Sequence, residues 1–505
     1  MTHLEPAPRG RAGVLAALTT RRFDLVIIGG GAIGAATAWA AARSGARVAV
    51  VDRGDLAGAT SSASTKLLHG GLRYLAMGDV GLVREAHRER WANATLVAPH
   101  LVEPLPFVIP VEPDQRKEEL RLRLGVGVYG ALSRWRDGRS GRLALDDAKR
   151  RVPALATQRF GSALVYHDHR TDDARLTLAA LDAAAQLGAV VVNHIEVTGL
   201  KTLAGQICGV ELFDRLTDQP LDVDTNTVVN AAGPWVDHVR RLEDPDAKPS
   251  IRLSKGAHLL LDVDEEWTAA VTTPLPGGRV SFAIPWQGIL MLGTTDTPFD
   301  GDPGDVAADD ADEDQILAEA ALSLDPAAIT PDRVRVRFAG LRVLPIGDGT
   351  TSGARRETIS TRGSRGMLSV AGGKLTTWLH IGATVADEAL RDAGFLPVPV
   401  TAVPSAVNPI AFAGELAGRF PMVSDATRVR LLHRYGRAAS DILARAGNSP
   451  ELIPGTDVLV AEVAHAYAAE WATGPDDVIR RTGLWIHGPV SDATRAACAE
   501  PPRPG

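Results

Sequence analysis

The sequence predicts an α/β fold of α+β character, with a nucleotide-binding unit of parallel strands, an antiparallel-sheet domain and a C-terminal helical domain. Three stretches predict it. The first is Asp24 to Asp52, DLVIIGGGAIGAATAWAAARSGARVAVVD. Its apolar run Leu25 to Ile28, bounded by glycines, reads as a buried parallel strand. Alanine-rich sequence to Ser44 favours a helix, Gly45 is placed to end it, and Arg47 to Val51 reads as a second strand. The second stretch, Ile251 to Pro298, alternates apolar and polar residues in short runs, the pattern of an antiparallel sheet. The third follows a linker marked by Pro397, Pro399 and Pro404. Residues 405–505 then carry helical patterns, among them Ala426 to Ala446 and Val458 to Trp471.

The first stretch carries chemistry. Gly29, Gly31 and Gly34 have the G-x-G-x-x-G spacing: the first permits a tight turn, the second lets backbone approach a pyrophosphate, and the third lets helix pack close to strand. A helix N-terminus offers unpaired N–H groups to phosphates, and Asp52 is placed to accept from a ribose hydroxyl. Strand, glycines, helix, strand and acid in register predict a Rossmann-like dinucleotide site. The uncharged run Leu25 to Ala42 is long enough to suggest a membrane span. Its glycines cluster at one point, which a strand-to-helix switch explains better.

At 505 residues the chain is long for one core, so two or three domains are expected. A net charge of −7 with no domain-wide basic excess argues against a nucleic-acid partner. Cys208 and Cys498 have no pairing motif, which argues against disulfides and thiolate metal sites and fits a reducing cytoplasm. Met1 to Arg22 contains charges and prolines and no sustained apolar core, so it does not read as a secretory signal.

Past Asp52, a hydroxyl-rich loop of small residues, Gly58 to Thr65, runs through Lys66 and Leu67 into His69-Gly70-Gly71-Leu72-Arg73-Tyr74. Small residues let backbone lie against a flat ligand, and hydroxyls can bond its polar edge. Arg116 to Arg142 places Leu120, Leu122, Leu124, Val126, Val128, Tyr129, Leu132 and Trp135 among eight basic residues. Such a basic amphipathic segment either packs on a core or lies on an anionic membrane. Asp172 and Asp173 precede an Ala/Leu-rich helix and read as its caps. Asp300 to Asp314 reads as a solvated acidic loop, and Val228 to Asn230 as a strand entering small residues. Ala371 to Thr377, AGGKLTT, opens a second helix whose N-terminus can stabilise negative charge.

The fingerprint and TSSASTKLLHGGLRYL together resemble the FAD-dependent glycerol-3-phosphate dehydrogenases, within the D-amino-acid-oxidase-like flavoproteins. The likeness continues through LVREAHRERWANATLVAPHLVEPLPFVIP, DDARL from Asp172, NAAGPWVD from Asn230 and SKGAH from Ser254. It extends to IPWQGILMLGTTDTPFDGDP from Ile284, AGLRVLP from Ala339 and VAGGKLTT from Val370, covering about residues 24–390 in family order. The resemblance implies an FAD domain from residues 21–98, 161–250 and 339–395. It implies a substrate domain from 99–160 and 251–338, to which the helical patterns add a cap at 405–505.

By the same resemblance the enzyme oxidises sn-glycerol 3-phosphate to dihydroxyacetone phosphate by hydride transfer to FAD. Electrons then pass to membrane quinone, with the protein peripheral on the inner face of the cell membrane; a homodimer is left open. The rivals are an oxidase of the same substrate using oxygen, a same-fold oxidase of an amine or 2-hydroxy acid, and a flavin-binding regulator. The implied cofactor residues, besides Gly29, Gly31, Gly34 and Asp52, are Thr60, Ser61, Ser62, Thr65, Lys66, Leu67, Val197, Ala231, Gly233, Gly372, Gly373, Lys374 and Thr376. No metal is implied.

A phosphate substrate calls for guanidinium groups, which fork onto its oxygens. Arg342 is the first choice, with Arg73 beside it and Arg356 of ARRET a further family position, although arginines are commonly surface salt bridges. His69, His258 and Lys374 lie in motifs and are candidates for the proton step; His69 is favoured as base. Tyr74 either bonds substrate or packs as an aromatic wall. Two positions depart from the family. Trp378-Leu379 stands where relatives carry Tyr-Arg, removing a charge near the cofactor. Trp39-Ala40-Ala41-Ala42 stands where an aspartate is common, a change read as neutral packing.

Overall fold

A computed structural model of the chain describes residues 7–8, 10–76, 78–346, 358–447 and 450–499. Among these residues, six strands pair in the order Thr358–Arg362, Leu368–Gly372, Val228–Asn230, Leu25–Ile28, Val48–Val51 and Val190–Val192. All are parallel except the first pair. Leu25–Ile28 and Val48–Val51 are buried at every residue, as expected of a parallel strand covered on both faces.

The two faces separate by strand alternation. Leu25, Ile27, Val48 and Val50 pack against the helices Ala32–Arg43, Asp173–Gln186 and Trp378–Leu390. Val26, Ile28, Ala49 and Val51 face the helix Arg11–Thr20 and a three-stranded antiparallel sheet formed by Ile195–Leu203, Gln206–Asp214 and Gln219–Asp224. Burying each Val, Leu or Ile of these strands stabilises the fold by about 1.5–3 kcal/mol. The alanine run has a packing reason. A Cβ added at Gly382 would lie 2.4 Å from the Ala36 Cβ, so helices Ala32–Arg43 and Trp378–Leu390 meet almost backbone to backbone. Trp39 and Trp378 are both buried beside that contact, the Trp378 indole donating to Asn93 Oδ1 at 3.2 Å. Trp39 is therefore core packing, whereas Trp378, although buried, also lines the large cavity beside the sheet.

The second sheet is largely antiparallel. Its long strands are Val102–Val111, Ser162–Thr171, Ile251–Leu261 and Val334–Pro345, with Ala270–Pro274, Val280–Trp286 and Ile289–Gly293 between them. Ser162–Thr171 pairs along its length with Val102–Val111, and Val334–Pro345 with Ile251–Leu261. Ser162–Thr171 and the end of Val334–Pro345, which the expected bounds at 161 and 339 place with the FAD domain, thus pair within this sheet. The C-terminal segment is helical. Helices Pro409–Arg419, Asp425–Tyr435 and Ala438–Ala446 enclose a core of Leu416, Leu431, Tyr435 and Ile442. The expected helix 426–446 is broken at Gly436, where a Cβ would meet Ser405 O at 2.1 Å.

Two further expectations are corrected. The acidic run 300–314 is not all loop, because Asp310–Ala320 is a helix with a capping box between Asp309 and Asp312. Carboxylates crowding a helix N-terminus are stabilised by its dipole and first-turn N–H groups. Asp172 is the cap of its helix, accepting from Arg175 N at 3.0 Å, whereas Asp173, which accepts from the first-turn Ala174 N at 2.8 Å, has a second role. It forms a buried ion pair with Lys66 at 2.5 Å.

Candidate active site

A cavity of about 1310 Å³ opens where the carboxyl ends of the parallel strands face the antiparallel sheet. At its nucleotide end the backbone has no room for side chains. Gly29 has φ +110°, and a Cβ there would sit 2.5 Å from Ala231 O on the neighbouring strand; one at Gly34 would sit 1.9 Å from Gly29 O. The helix Ala32–Arg43 starts at Gly31 with no side-chain cap of its own, and Ser61 Oγ accepts from Ala32 N at 2.8 Å. Asp52 accepts from Gly30 N at 2.7 Å and from Gly54 N at 2.9 Å. Burial pushes its carboxyl above the ordinary value; those two N–H bonds oppose the rise and nearby Asp55 adds to it. A glycine floor, helix-start N–H groups and an acid at the end of the second strand together fit the phosphates and ribose of FAD.

The other end gathers charge. Lys374 Nζ lies 3.7 Å from the centre of the Tyr74 ring, a cation–π contact that fixes the ammonium. The two glycine-rich turns are tied together by Thr376: its hydroxyl accepts from His69 N at 3.1 Å and lies 3.2 Å from His69 O. Burial lowers the His69 pKa; Asp168 opposes this, and the positive charges of Lys374 and Arg90 add to it. Beneath the turn, Asp168 accepts from Gly70 N at 3.0 Å and from Tyr129 Oη at 2.7 Å, and it is paired with buried Arg90. Across the cavity, Arg342 on Val334–Pro345 donates to Thr294 Oγ1 at 3.0 Å and to Lys255 O at 3.2 Å. Asp296 is 3.5 Å from the same guanidinium. Arg279 also reaches Thr294, donating to its carbonyl at 3.2 Å.

Most of the expected site residues line this one cavity. Gly29, Gly31, Asp52, Thr60, Ser61, Thr65 and Leu67 line it from the N-terminal region, with Val197, Ala231 and Gly233. Gly372, Gly373, Lys374 and Thr376 line it from the second glycine turn, with His69, Tyr74 and Arg342. Four lie one layer back. Gly34 packs under Gly29, while Ser62 and Lys66 line a smaller cavity behind the loop, Lys66 paired with Asp173. His258 is buried, its Nε2 3.0 Å from Thr65 Oγ1 and its ring stacked on Phe338. Burial, with the charges of Arg342 and Lys66, pushes His258 down to about 3, so it stays neutral and works as a brace for Thr65. Arg356 and the Arg73 side chain lie outside the described residues.

Sequence reasoning missed Thr294, Asp296, Arg279 and Asp168. The first two stand inside the stretch LGTTDT, where the polar residues after an apolar strand were the available signal.

A family model described as FAD dependent oxidoreductase matches residues 24–383. Glycerol-3-phosphate dehydrogenase 2 of Mycobacterium tuberculosis is 35% identical over 492 residues, covering 94% of this chain and 83% of its own length. Aerobic glycerol-3-phosphate dehydrogenase of Staphylococcus aureus is 33% identical over 375 residues, covering 73% and 67%. The crystal structure of the glycerol-3-phosphate dehydrogenase from Bacillus halodurans, complexed with FAD, superposes with a TM-score of 0.76 at 27% identity, over 95% of this chain and 90% of that one. With a cradle that fits FAD and this likeness along nearly its whole length, the chain belongs to the FAD-dependent oxidoreductases, in their glycerol-3-phosphate dehydrogenase family.

Proposed function

We propose that this enzyme oxidises sn-glycerol 3-phosphate to dihydroxyacetone phosphate and passes the electrons to a membrane quinone. The observation that carries the reading is the convergence of Arg342, Lys374 and His69 on the same cavity whose other end fits FAD. The names of the relatives support the same substrate. When bound, FAD supplies the acceptor for the hydride leaving the secondary alcohol carbon. The chain's own groups do the rest. Arg342 forks onto phosphate oxygens from a guanidinium already braced by Thr294 and Lys255. His69, neutral because burial disfavours its cation, takes the hydroxyl proton on a ring nitrogen. Lys374, held over Tyr74, stabilises the oxygen as that proton leaves. The test is anaerobic mixing with sn-glycerol 3-phosphate while the flavin absorbance is followed. Bleaching that a soluble quinone reverses rapidly, and oxygen slowly, is expected. Rapid reoxidation by oxygen with peroxide would make the enzyme an oxidase, and an unbleached flavin would overturn the substrate.

The surface of helix Arg116–Leu132 supports the membrane part of this reading. Leu122, Val126 and Tyr129 turn into the core, whereas Leu120, Leu124 and Val128 are 58%, 63% and 48% exposed. The outward leucines follow i, i+4 spacing among Arg116, Lys117, Arg121 and Arg123. Glu118, Arg121 and Leu122 of this helix also line the cavity, so a quinone reaching the protein beside it would arrive next to the site. Among the described residues no helix is long and apolar enough to cross a membrane. Flotation with anionic vesicles is expected to carry the wild type, and Leu120→Glu/Leu124→Glu to lower the bound fraction at least about tenfold. Equal flotation of both would remove this face from the account.

A further inference from the structure

The C-terminal helical segment shows no chemical motif in its sequence, yet one of its helices reaches the nucleotide end of the cavity. Helix Pro475–Thr482 carries Arg480 and Arg481. Arg481 is 2% exposed and makes two bonds to the Asp55 carboxylate, at 2.6 and 2.8 Å. Arg480 donates to the same carboxylate at 2.8 Å, lines the cofactor cavity, and turns its other end to Asp477 at 2.9 Å. Asp55 is itself buried, three residues beyond Asp52.

The bonds close a ring around the nucleotide cradle. Gly30 N donates to Asp52, Gly54 N donates to Asp52, and Ala57 N donates to Gly30 O at 3.1 Å. The loop 52–58 is thus tied to the first glycine turn at both of its ends. His194 N donates to Gly54 O at 3.0 Å, and the His194 ring lies 3.3 Å from Asp477 of the C-terminal helix. Neighbouring Asn193 donates to Trp471 O at 2.8 Å. Two of these routes, through Asp55 and through His194 to Gly54, end on the loop that is bonded to Gly30 and carries Asp52. A surface helix placed only to cover the core would have no reason to bring two guanidinium groups to one buried carboxylate.

We propose that the C-terminal helix Pro475–Thr482 is a retention clamp for FAD, in which Arg480 and Arg481 grip Asp55 and hold the 52–58 loop closed on the cofactor's nucleotide end. Because Asp52 and Asp55 share one loop, tied at both ends to Gly30, the cofactor leaves only when this grip opens. The clamp is a positioning device. It rests on FAD being the cofactor and is independent of which alcohol is oxidised.

The decisive variant is Asp55→Asn. Removing this charge relieves its repulsion of Asp52, so an electrostatic role alone predicts FAD held as tightly or more tightly. The clamp predicts the opposite, because an amide is uncharged and offers one acceptor oxygen, with an NH2 in place of the other, to guanidinium groups that now make three bonds to two oxygens. The measurement is the release rate of FAD from the loaded full-length protein, followed by the recovery of free-flavin fluorescence after dilution. Asp55→Asn and Arg480→Gln are each expected to release FAD at least about fivefold faster, and Arg481→Gln at least about tenfold faster, since it loses two charge-assisted bonds. Release at the wild-type rate from Asp55→Asn and Arg480→Gln would overturn the clamp. If Arg481→Gln fails to fold, the half-exposed Arg480 and the near-isosteric Asp55→Asn still decide it. Hydrogen exchange of the loaded protein adds an independent reading: faster exchange at residues 52–58 in Asp55→Asn supports the clamp, and unchanged exchange there opposes it.

Discussion

Arg342→Ala is expected to raise the KM for sn-glycerol 3-phosphate by about two orders of magnitude while FAD remains bound. Hydrogen bonds from a charged donor contribute roughly 1.5–3 kcal/mol each, and two directed at one phosphate therefore amount to about a hundredfold or more in affinity. The guanidinium is suited to supply both, because Thr294 Oγ1 and Lys255 O already fix its plane in the cavity wall. Arg342→Lys separates fork from charge. It keeps the cation on a point donor and should recover part of the loss, leaving KM raised by about tenfold. A phosphate-free alcohol such as glycerol provides the control, since its turnover never used the guanidinium and should change little. Loss of FAD from Arg342→Ala would instead put this residue in the cofactor's surroundings, and an unchanged KM would move phosphate binding elsewhere on the wall.

What the sequence disclosed and what it hid divide by how far apart in the chain the interacting groups lie. The span Asp24 to Asp52 was legible because its whole device is local: the strand, the three glycines, the helix start and the acid follow one another within a single βαβ unit. The second glycine turn was legible for the same reason. Lys66 was not, because its buried partner Asp173 is 107 positions away and nothing near a lysine in a hydroxyl-rich loop reveals an ion pair. The strand Ser162–Thr171, inside the segment 161–250 expected with the FAD domain, pairs along its length with Val102–Val111, a partner that its own sequence does not disclose. Arg481 and Asp55 are 426 positions apart, and a helix patterned simply as apolar and basic gives no sign of where its arginines go. His258 shows the converse. Its motif made it a candidate for the proton step, and only burial and the stacked Phe338 ring reveal a histidine kept neutral behind the wall.

His69→Asn is expected to lower kcat by about 10²- to 10⁴-fold, the usual contribution of a positioned base, with a smaller change in KM. The pH profile makes the test specific. A base acts in its neutral form, so kcat/KM falls as pH drops through the pKa of the base in the free enzyme. Burial, Lys374 and Arg90 hold the His69 pKa below the ordinary imidazole value of 6.5, against the pull of Asp168. The acid limb of the wild type should accordingly lie below pH 6.5 and be absent from His69→Asn. His258 cannot supply that limb, because its burial and cationic neighbours push it down to about 3. Lys374 would have to lose its proton to serve as base, and a lysine base would place the limb on the alkaline side of a histidine's. A limb that persisted unchanged in His69→Asn would therefore exclude the imidazole, and its position would name the group to examine next. Phosphate ionisation of the substrate also titrates near neutrality, so the comparison between wild type and variant, each with the same substrate, carries the assignment. The Asn side chain leaves the backbone bond from His69 N to Thr376 Oγ1 available, so loss of the limb would report the missing ring and not a displaced turn.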